Sequence, residues 1–427
     1  MTTVLPYLMD ENLRALREEV QRKTGKTPEE LYEEREKRVR DAIELREPDR
    51  VPLFIQIPSQ RFGSPPGEAA RRGALYLEPD LCMGGFGRGG GPVWEILGIK
   101  NRVWAGHGLS EDATGQQAIE GEYLKADEYD LFLKDPADFS IRVYLPRVYE
   151  ALAPLAKLPP LSMLFSGGLE GIAALFATPE FEQAGKALAK VGQEMKKTSQ
   201  PAIDPQEDLA LLGFPAFGNA GNAPRGAPFD VISAHLRGMT GSMLDMYQRP
   251  EKLLQACDMI ADMQIARSAP ADPTKRGNPK RIGMPLWRGD KMFMSQKQFE
   301  TFYWPGLKKV MLAAIELGYV PMPFFEDEFG DRLECLLDLP KGKVIASVEY
   351  MDAVRAKEIL GGHCCVMAKG PPSLRFASPH EMQEYQENMV RVCGKGGGFI
   401  LWTILPGKGE LADMKAMVDS IKEAGRF

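Results

Sequence analysis

Apolar and polar positions alternate most regularly in the last third of the chain. After Arg281, short apolar runs are separated by longer segments whose apolar residues recur at helical spacing. This pattern predicts strands over 282–287, 320–325, 344–348, 364–367 and 399–403, with a helix in each gap. Strands that alternate with helices are typical of parallel βα units. Because no dinucleotide fingerprint opens such a unit, we predict an α/β fold of the (β/α)8 TIM barrel type rather than a doubly wound sheet.

The N-terminal segment has a helical pattern instead. Over 10–46, opposite charges recur three and four residues apart, and Thr27 followed by Pro28 has the residue types of a helix start. We therefore predict two helices, which form an N-terminal helical extension over 1–48.

A polar stretch at 46–50 precedes an apolar run at 51–57, the first predicted strand of a barrel domain over 49–427. From 58 to 142 the periodicity weakens, and glycine dominates 84–91. That stretch contains a formal GxGxxG, but no clear strand precedes it and no clear helix follows, as a nucleotide-binding loop would require. We predict that 58–142 is a Gly-rich insertion, or lid, near the barrel mouth.

An acidic cluster follows the strand predicted at 320–325. The apolar run breaks into Glu326, Asp327 and Glu328. In a TIM barrel the carboxyl end of a strand is where the chemistry lies, so these three are the candidate catalytic residues. Since neighbouring strand residues point to opposite faces, Glu326 and Glu328 are the natural pair. A solvated acidic loop is the alternative interpretation.

Several aromatic and soft-ligand side chains lie where they could complete such a site. Trp287 and Trp402 end or nearly end predicted strands, and Phe325 precedes the acidic cluster, so we expect these three to line a substrate pocket. His235 follows a Gly-rich loop and is a fourth expected substrate contact, although a structural histidine is the alternative. Further candidates are grouped by chemistry: Glu349 as another carboxylate, Lys369 as a cation, and His363 and Cys365, with Glu326, as metal ligands.

The composition of the chain limits the classes of molecule that it is expected to bind. The chain has 427 residues, 44% of them hydrophobic, and a formal net charge of −6, which argues against nucleic acid or an anionic membrane as the main partner. No apolar run approaches the roughly 18 residues of a membrane span. The first residues lack the pattern of a secretory signal, and six cysteines in so long a chain are not a disulfide framework. We expect a cytoplasmic protein.

Three stretches resemble the uroporphyrinogen decarboxylase superfamily: REPDRVPLFI at 46–55, GMTGSMLDMYQRPEKLLQACDMI at 238–260 and GGGFIL at 396–401. The resemblance covers roughly residues 40–427. It implies a (β/α)8 barrel with its active site at the C-terminal face. It also implies one of two chemistries, decarboxylation of uroporphyrinogen or methyl transfer linked to cobalamin or a thiol.

The decarboxylase branch of that superfamily carries an Arg-Gln-Ala-Gly-Arg signature after the first strand. The corresponding residues here are IPSQRFG at 57–63, where only Arg61 could bind a substrate carboxylate. A tetrapyrrole with many carboxylates needs several cations. The resemblance therefore disfavours a true uroporphyrinogen decarboxylase and leaves Arg61 as a candidate substrate contact.

The methyltransferase branch activates a thiol with zinc held by a His-x-Cys pair and a later Cys. Aligned on Gly330, the pair falls on Asp327 and Phe329, and the last ligand falls near Pro406, so none of the three is kept. The carboxylates in their place could hold a zinc ion with mixed ligands, bind a cationic methyl donor, or protonate the departing oxygen of a methyl ether.

The resemblance thus implies a methyltransferase that moves a methyl group from a small methylated or methoxylated molecule to the corrinoid (cobalamin) cofactor of a partner protein. Zinc and a homodimer stay open expectations. The alternatives are a decarboxylase-like lyase and a non-catalytic ligand-binding barrel.

Overall fold

A computed structural model describes residues 11–63, 66–83, 91–111, 113, 115–166, 168–198, 205–217, 221–275, 277, 278 and 280–427. The chain divides into two compact units. The first comprises Met1–Gly85, Ile203–Ala227 and Ala261–Phe427, and the second Phe86–Ala202 and Pro228–Ile260. Both the expected extension over 1–48 and the start of the expected insertion over 58–142 fall in the first unit. Residues 84–90 of the Gly-rich stretch lie outside the described residues.

The strands, in chain order, are β1 Leu53–Gln56, β2 Leu81–Met83, β3 Arg102–Ala105, β4 Gly108–Leu109, β5 Gln116–Ala118, β6 Arg281–Leu286, β7 Val320–Phe325, β8 Ile345–Val348, β9 Cys365–Ala368 and β10 Phe399–Thr403. The α-helices are α1 Glu11–Thr24, α2 Pro28–Ile43, α3 Ser59–Phe62, α4 Pro66–Leu77, α5 Pro92–Leu97, α6 Tyr129–Lys134, α7 Pro136–Phe139, α8 Leu145–Val148, α9 Leu169–Phe176, α10 Pro179–Thr198, α11 Pro205–Leu211, α12 Pro228–Val231, α13 Met239–Gln248, α14 Pro250–Ala266, α15 Gln296–Gln298, α16 Trp304–Glu316, α17 Ala353–Leu360, α18 Pro379–Cys393 and α19 Leu411–Ala424. Short 3-10 segments cover Glu150–Lys157, Leu161–Ser166, Gly330–Asp338 and Pro372–Phe376, and π-helical turns cover Ser140–Tyr144, Ile232–Leu236 and Phe299–Tyr303.

The first unit is built on a parallel sheet of seven strands in the order β2-β1-β10-β9-β8-β7-β6. The five strands predicted after Arg281 are confirmed, each within one residue of its expected bounds, because each is an apolar run closed off by polar or turn-forming residues. The helices between them provide the long crossovers that parallel neighbours need. The fold is therefore mixed α/β with a TIM-like sheet.

Among the described residues the sheet does not close as an eight-stranded barrel, and in this respect it differs from the predicted fold. β2 and β6 are its edges. The backbone of Cys82 in β2 exchanges hydrogen bonds with Pro215 O and Phe217 N, and Ala216 N donates to Gly277 O, just before β6. The contact between Cys82 and Ala216 is a single isolated bridge. Pro215 has no N–H to donate, which explains why no strand extends there.

The helix α2 closes the amino-terminal end of the sheet. Thr27 caps it through a reciprocal capping box with Glu30, and Pro28 starts it, as the sequence predicts. Its buried Val39 and Ile43 join one apolar cluster with residues that come from the strands: Phe54, Leu81, Met322, Ile345, Cys365, Met367 and Ile400. The N-terminal helices are therefore part of the unit that contains the sheet.

The REPDR stretch at 46–50 fastens α2 to the strands. Asp80 is fully buried, and its carboxylate accepts hydrogen bonds from Arg50 at 2.5 Å, Arg38 at 2.6 Å and the backbone of Leu53 at 2.9 Å. The two guanidinium charges hold the pKa of Asp80 at about 2, against the effect of burial. Asp49 pairs with the other edge of Arg38 at 2.6 Å. This stretch, which carries part of the family resemblance, thus has a structural role.

The second unit is mostly helical. Its small sheet has the order β4-β3-β5, with β3 parallel to β4 and antiparallel to β5. Asp245 is the centre of a buried network, and its Oδ2 accepts hydrogen bonds from the Tyr129 hydroxyl at 2.9 Å and from Arg237 Nε at 2.7 Å. In neither unit does the described part of the chain include a helix with the length and apolar character to cross a bilayer.

Candidate active site

Five side chains form a row at the carboxyl ends of neighbouring strands. Trp287, Glu326, Glu349 and Lys369 are each the first residue after a strand, respectively β6, β7, β8 and β9. The strand ends are in register, because Leu286 pairs with Phe325, Phe325 with Val348, and Val348 with Ala368. Ala368 is also level with Leu401 of β10, so Trp402 continues the row beside Lys369. We call these five residues the polar row.

A short ion pair lies at the centre of the row. Lys369 Nζ is 2.6 Å from Glu349 Oε1, and both side chains are only about one-seventh exposed. The same ammonium lies 4.7 Å from the centre of the Trp402 ring, which is within the range of a cation–π interaction. Lys369 is therefore held from two sides.

Glu326 is half-buried, and its pKa is raised from its ordinary value. Desolvation is the largest cause, followed by the negative charges of Glu349 and Asp327. The ammonium of Lys369 and a hydrogen bond with the Trp287 side chain act in the opposite direction without cancelling the rise. Since indole N–H only donates, Trp287 binds the carboxylate form. Glu326 is thus a carboxyl group that retains its proton to a higher pH than a solvated glutamate.

Asp327 and Asp290 extend the negative charge beyond the row. The pKa of Asp327 is raised by desolvation, then by the charges of Asp290 and Glu349. Asp290 is fully buried, and its Oδ1 accepts a hydrogen bond from Met292 N at 2.6 Å. Arg332 fixes this loop by donating to the carbonyls of Gly289, at 2.7 Å, and Met294. The loop after β6 therefore adds a carboxylate that acts on Asp327.

An aromatic floor lies beneath the row. The Trp402 ring centre is 4.9 Å from that of Phe54, 5.6 Å from that of Phe324 and 6.3 Å from that of Phe217. Phe54 and Phe217 stack at 4.2 Å. Trp402 and Phe324 are partly exposed, so the floor presents an apolar surface next to the charged groups. We call these four rings the aromatic floor.

Two expected site residues do not belong to this constellation. Phe325 is buried on the opposite face of β7 from Phe324, and it packs against Phe329 at 4.7 Å. Glu328 is exposed and lies three residues beyond the end of β7, where strand alternation no longer applies. Phe324 therefore takes the place expected for Phe325, and Glu349 rather than Glu328 is the second carboxylate that acts on Glu326.

Arg61 and His235 have other surroundings. Arg61, in α3, donates to the carbonyl oxygens of Pro406, at 3.5 Å, and Gly409 in the loop after β10. The guanidinium of Arg61 thus binds backbone carbonyl oxygens of this loop. His235 is in the second unit, where burial and the charge of Arg102 lower its pKa. A structural role is in keeping with the surroundings of both.

The three expected metal ligands are not brought together. His363 Nε2 lies 2.6 Å from Leu339 O, before β9, and Cys365 is the fully buried first residue of β9. Glu326 follows the opposite, carboxyl end of β7. Burial also raises the pKa of Cys365 to about 12, whereas zinc requires a thiolate. Across the described ranges, no group of three or more His, Cys, Asp or Glu residues is arranged to hold a metal ion. Zinc does not fit these residues.

The polar row could be found from the sequence, whereas the aromatic floor could not. Glu349 directly follows a predicted strand, as Glu326 does, and Lys369 lies two residues after the strand predicted at 364–367, so register alone could have joined them. Phe217 lies outside any strand, and no local pattern marks it.

Comparison with known proteins adds a likeness of fold alone. No family model matches the chain, and no curated protein sequence matches it. Among solved structures, the chain is similar to a methyltransferase from Methanosarcina mazei, with a TM-score of 0.47 and 14% sequence identity over 90% of this chain and 97% of that one. A likeness at this level carries no argument about chemistry.

Proposed function

We propose that this protein is a methyltransferase that moves a methyl group from a small methylated or methoxylated molecule to the corrinoid cofactor of a partner protein. The observation that supports it is the raised pKa of Glu326, a residue that directly follows the strand containing Phe324 of the aromatic floor. The resemblance of the sequence to the uroporphyrinogen decarboxylase superfamily supports the choice of methyl transfer. The corrinoid, the partner and the substrate are all part of the proposal.

Glu326 is the acid in this proposal. When a methyl–oxygen bond breaks, its electron pair stays on the oxygen, which becomes a far better leaving group if it is protonated at the same time. A carboxyl group whose pKa is raised holds its proton to a higher pH and can supply it to the leaving oxygen, and such catalysis typically contributes about 10²–10⁴-fold. The Glu326 carboxyl then becomes a carboxylate, which the Trp287 hydrogen bond and the Lys369 charge stabilise.

In this proposal the methyl acceptor is a Co(I) corrinoid carried by another protein. The Co(I) centre would supply the electron pair of the new bond to the methyl carbon. The chain's own residues do the rest. The aromatic floor binds the apolar body of the donor and excludes water from the reacting bond. The Lys369–Glu349 pair fixes two charges beside Glu326, and these set how readily its proton is released.

Two other functions would give different results in the same assay. A decarboxylase-like lyase would release CO2 from a carboxylated substrate, but the single arginine expected to bind such a substrate, Arg61, is bound to backbone carbonyls. A ligand-binding barrel would bind small molecules without turnover. Neither has a structural observation in its favour.

The test is a turnover assay with the purified protein, Co(I) cobalamin and a panel of methoxylated aromatics and methylated amines. We expect the demethylated product to appear in step with the loss of the Co(I) absorbance, with at least one donor. Glu326→Gln should retain binding of that donor and lose turnover. Binding without turnover across the panel would indicate a ligand-binding barrel, and CO2 release from a carboxylated analogue would indicate a lyase.

A further inference from the structure

A cavity lies at the amino-terminal ends of the strands in the first unit. It has a volume of about 440 Å³ and is bounded by α2 and by the residues that start β6 and β7. A volume of this size falls within the range of small-molecule sites, roughly 300–1,000 Å³. The residues of the polar row follow the opposite ends of the same strands. At about 3.3 Å per residue, the six residues of β6 separate the two places by roughly 20 Å.

A buried arginine forms part of the cavity wall. Arg281 is 1% exposed, and its Nη1 donates to Glu36 Oε1 at 2.8 Å, while its Nη2 donates to Ala216 O at 3.2 Å. Its Nε is buried and has no hydrogen-bond partner within the described part of the chain. A buried donor without a partner lowers stability. Arg281 thus lines this wall as the buried partner of Glu36.

Other cations surround the same space. Arg40, Lys275, Lys280 and Lys343 also line the cavity. Of these, Arg40, Lys280 and Lys343 form no ion pair with any residue that the structure describes. Their side chains are therefore available to a ligand.

The carboxylates of the cavity do not neutralise these cations. Glu36 is taken up by Arg281, and Glu44 pairs with Arg46. Glu33 is the third carboxylate, and it is exposed. Positive side chains outnumber negative ones by two around the cavity, five to three, in a chain whose net charge is −6. The positive surplus is thus local, and it coincides with a concave surface.

We propose that this cavity is a binding site for a small phosphate-bearing anion. Lysine and arginine bind phosphate oxygens through charge-assisted hydrogen bonds, and a multivalent anion can bridge several of them at once. Lys280 and Lys343 contact the ligand from the starts of β6 and β8, and Arg40 contacts it from α2. The inference is independent of the proposed methyl transfer, because the two sites share no residue.

Isothermal titration calorimetry of the full-length protein with pyrophosphate, at fixed ionic strength, tests the site. We expect saturable binding of one pyrophosphate, and binding weakened by roughly tenfold or more in Lys280→Ala and in Lys343→Ala, since each removes one charge-assisted hydrogen bond. Both positions are exposed, so the variants should remain folded. Lys190→Ala, an exposed lysine of α10 in the second unit, is the matched control and should bind like the wild type.

Three results would overturn the proposal. They are the absence of pyrophosphate binding, equal binding in both cavity variants and the wild type, and binding of citrate in the absence of pyrophosphate binding. The last would show a polycarboxylate site instead. Because the titration needs neither a methyl donor nor a corrinoid, its outcome does not depend on whether the protein transfers methyl groups.

Discussion

The ammonium of Lys369 lies 2.6 Å from Glu349 Oε1, and this ion pair stands directly beside Glu326 in the polar row. The two partners act on Glu326 in opposite directions, since the charge of Glu349 raises its pKa and that of Lys369 lowers it. Desolvation is the largest cause of the raised pKa of Glu326, and these two neighbours adjust it in opposite directions and can be removed separately.

Replacing the proposed acid should abolish most of the activity. We expect Glu326→Gln to lower kcat by about 10²–10⁴-fold with little change in KM, because the amide keeps the shape but cannot donate the proton. Steady-state kinetics with the best donor of the panel measures this. Glu334→Gln, an exposed glutamate on the 3-10 segment after β7, is the control and should be fully active. Glu328→Gln distinguishes two expectations. Strand alternation pairs Glu328 with Glu326 and predicts a loss of turnover, whereas the exposed position of Glu328 predicts near wild-type turnover.

The pH dependence of kcat should move in opposite directions in two variants. Only the protonated Glu326 carboxyl can donate, so activity should fall as pH rises through its raised pKa. Lys369→Met removes a charge that lowers this pKa, and the falling limb should shift to higher pH. Glu349→Gln removes a charge that raises it, and the limb should shift to lower pH. Profiles of kcat against pH measure both shifts. A shift in the same direction in both variants would contradict the assignment of Glu326 as the acid.

The aromatic floor should contribute binding rather than chemistry. We expect Trp402→Leu to raise KM by about fivefold, because an aromatic contact is worth about 1 kcal/mol beyond the area that it buries. The kcat should change less than KM. Phe376→Leu, an aromatic residue that is 92% exposed, should leave both parameters unchanged. An unchanged KM in Trp402→Leu would remove the floor from the substrate site.

The Asp80 network should matter for stability and not for catalysis. Asp80→Asn leaves Arg38 and Arg50 partly buried without their shared carboxylate, so we expect the free energy of unfolding to fall by about 3–5 kcal/mol in urea titrations. Asp49→Asn breaks only an exposed pair and should cost about 0–1 kcal/mol. Equal losses in the two variants would show that burial of Asp80 is not the cause.

The same network predicts acid sensitivity. Folding lowers the pKa of Asp80 to about 2, below its value of about 3.9 in an unfolded chain. A lowered pKa contributes stability that is fully present above the unfolded pKa and is lost as pH falls through the folded one. Urea midpoints of the wild type should therefore decrease between about pH 4 and pH 2 more steeply than those of Asp80→Asn.

The strands and the place of the site could be predicted from the sequence, and the partners within the site only in part. β7 and β10 begin and end where expected, because a buried parallel strand is an apolar run. Phe325 and Glu328 stay predictions for the site, but the structure buries Phe325 and exposes Glu328, because β7 ends at Phe325 and alternation does not extend past a strand end. Beyond the β2 edge, the sheet is continued in the described part of the chain only by an isolated bridge between Cys82 and Ala216, a long-range contact that no local pattern reveals. The predicted metal set of His363, Cys365 and Glu326 combines opposite ends of parallel strands, because His363 and Cys365 lie at the start of β9 and Glu326 follows the end of β7.

The apolar face of α2 has a consequence for how the chain reaches its native state. Val39 and Ile43 pack in one cluster with Ile345 and Ile400, about 300 residues later in the sequence. During synthesis the helix leaves the ribosome long before these partners exist. Contacts over such separations form slowly, and an apolar face that waits for them is prone to aggregate. The yield of soluble protein should therefore depend on translation rate and chaperone supply more than on the stability of the finished fold.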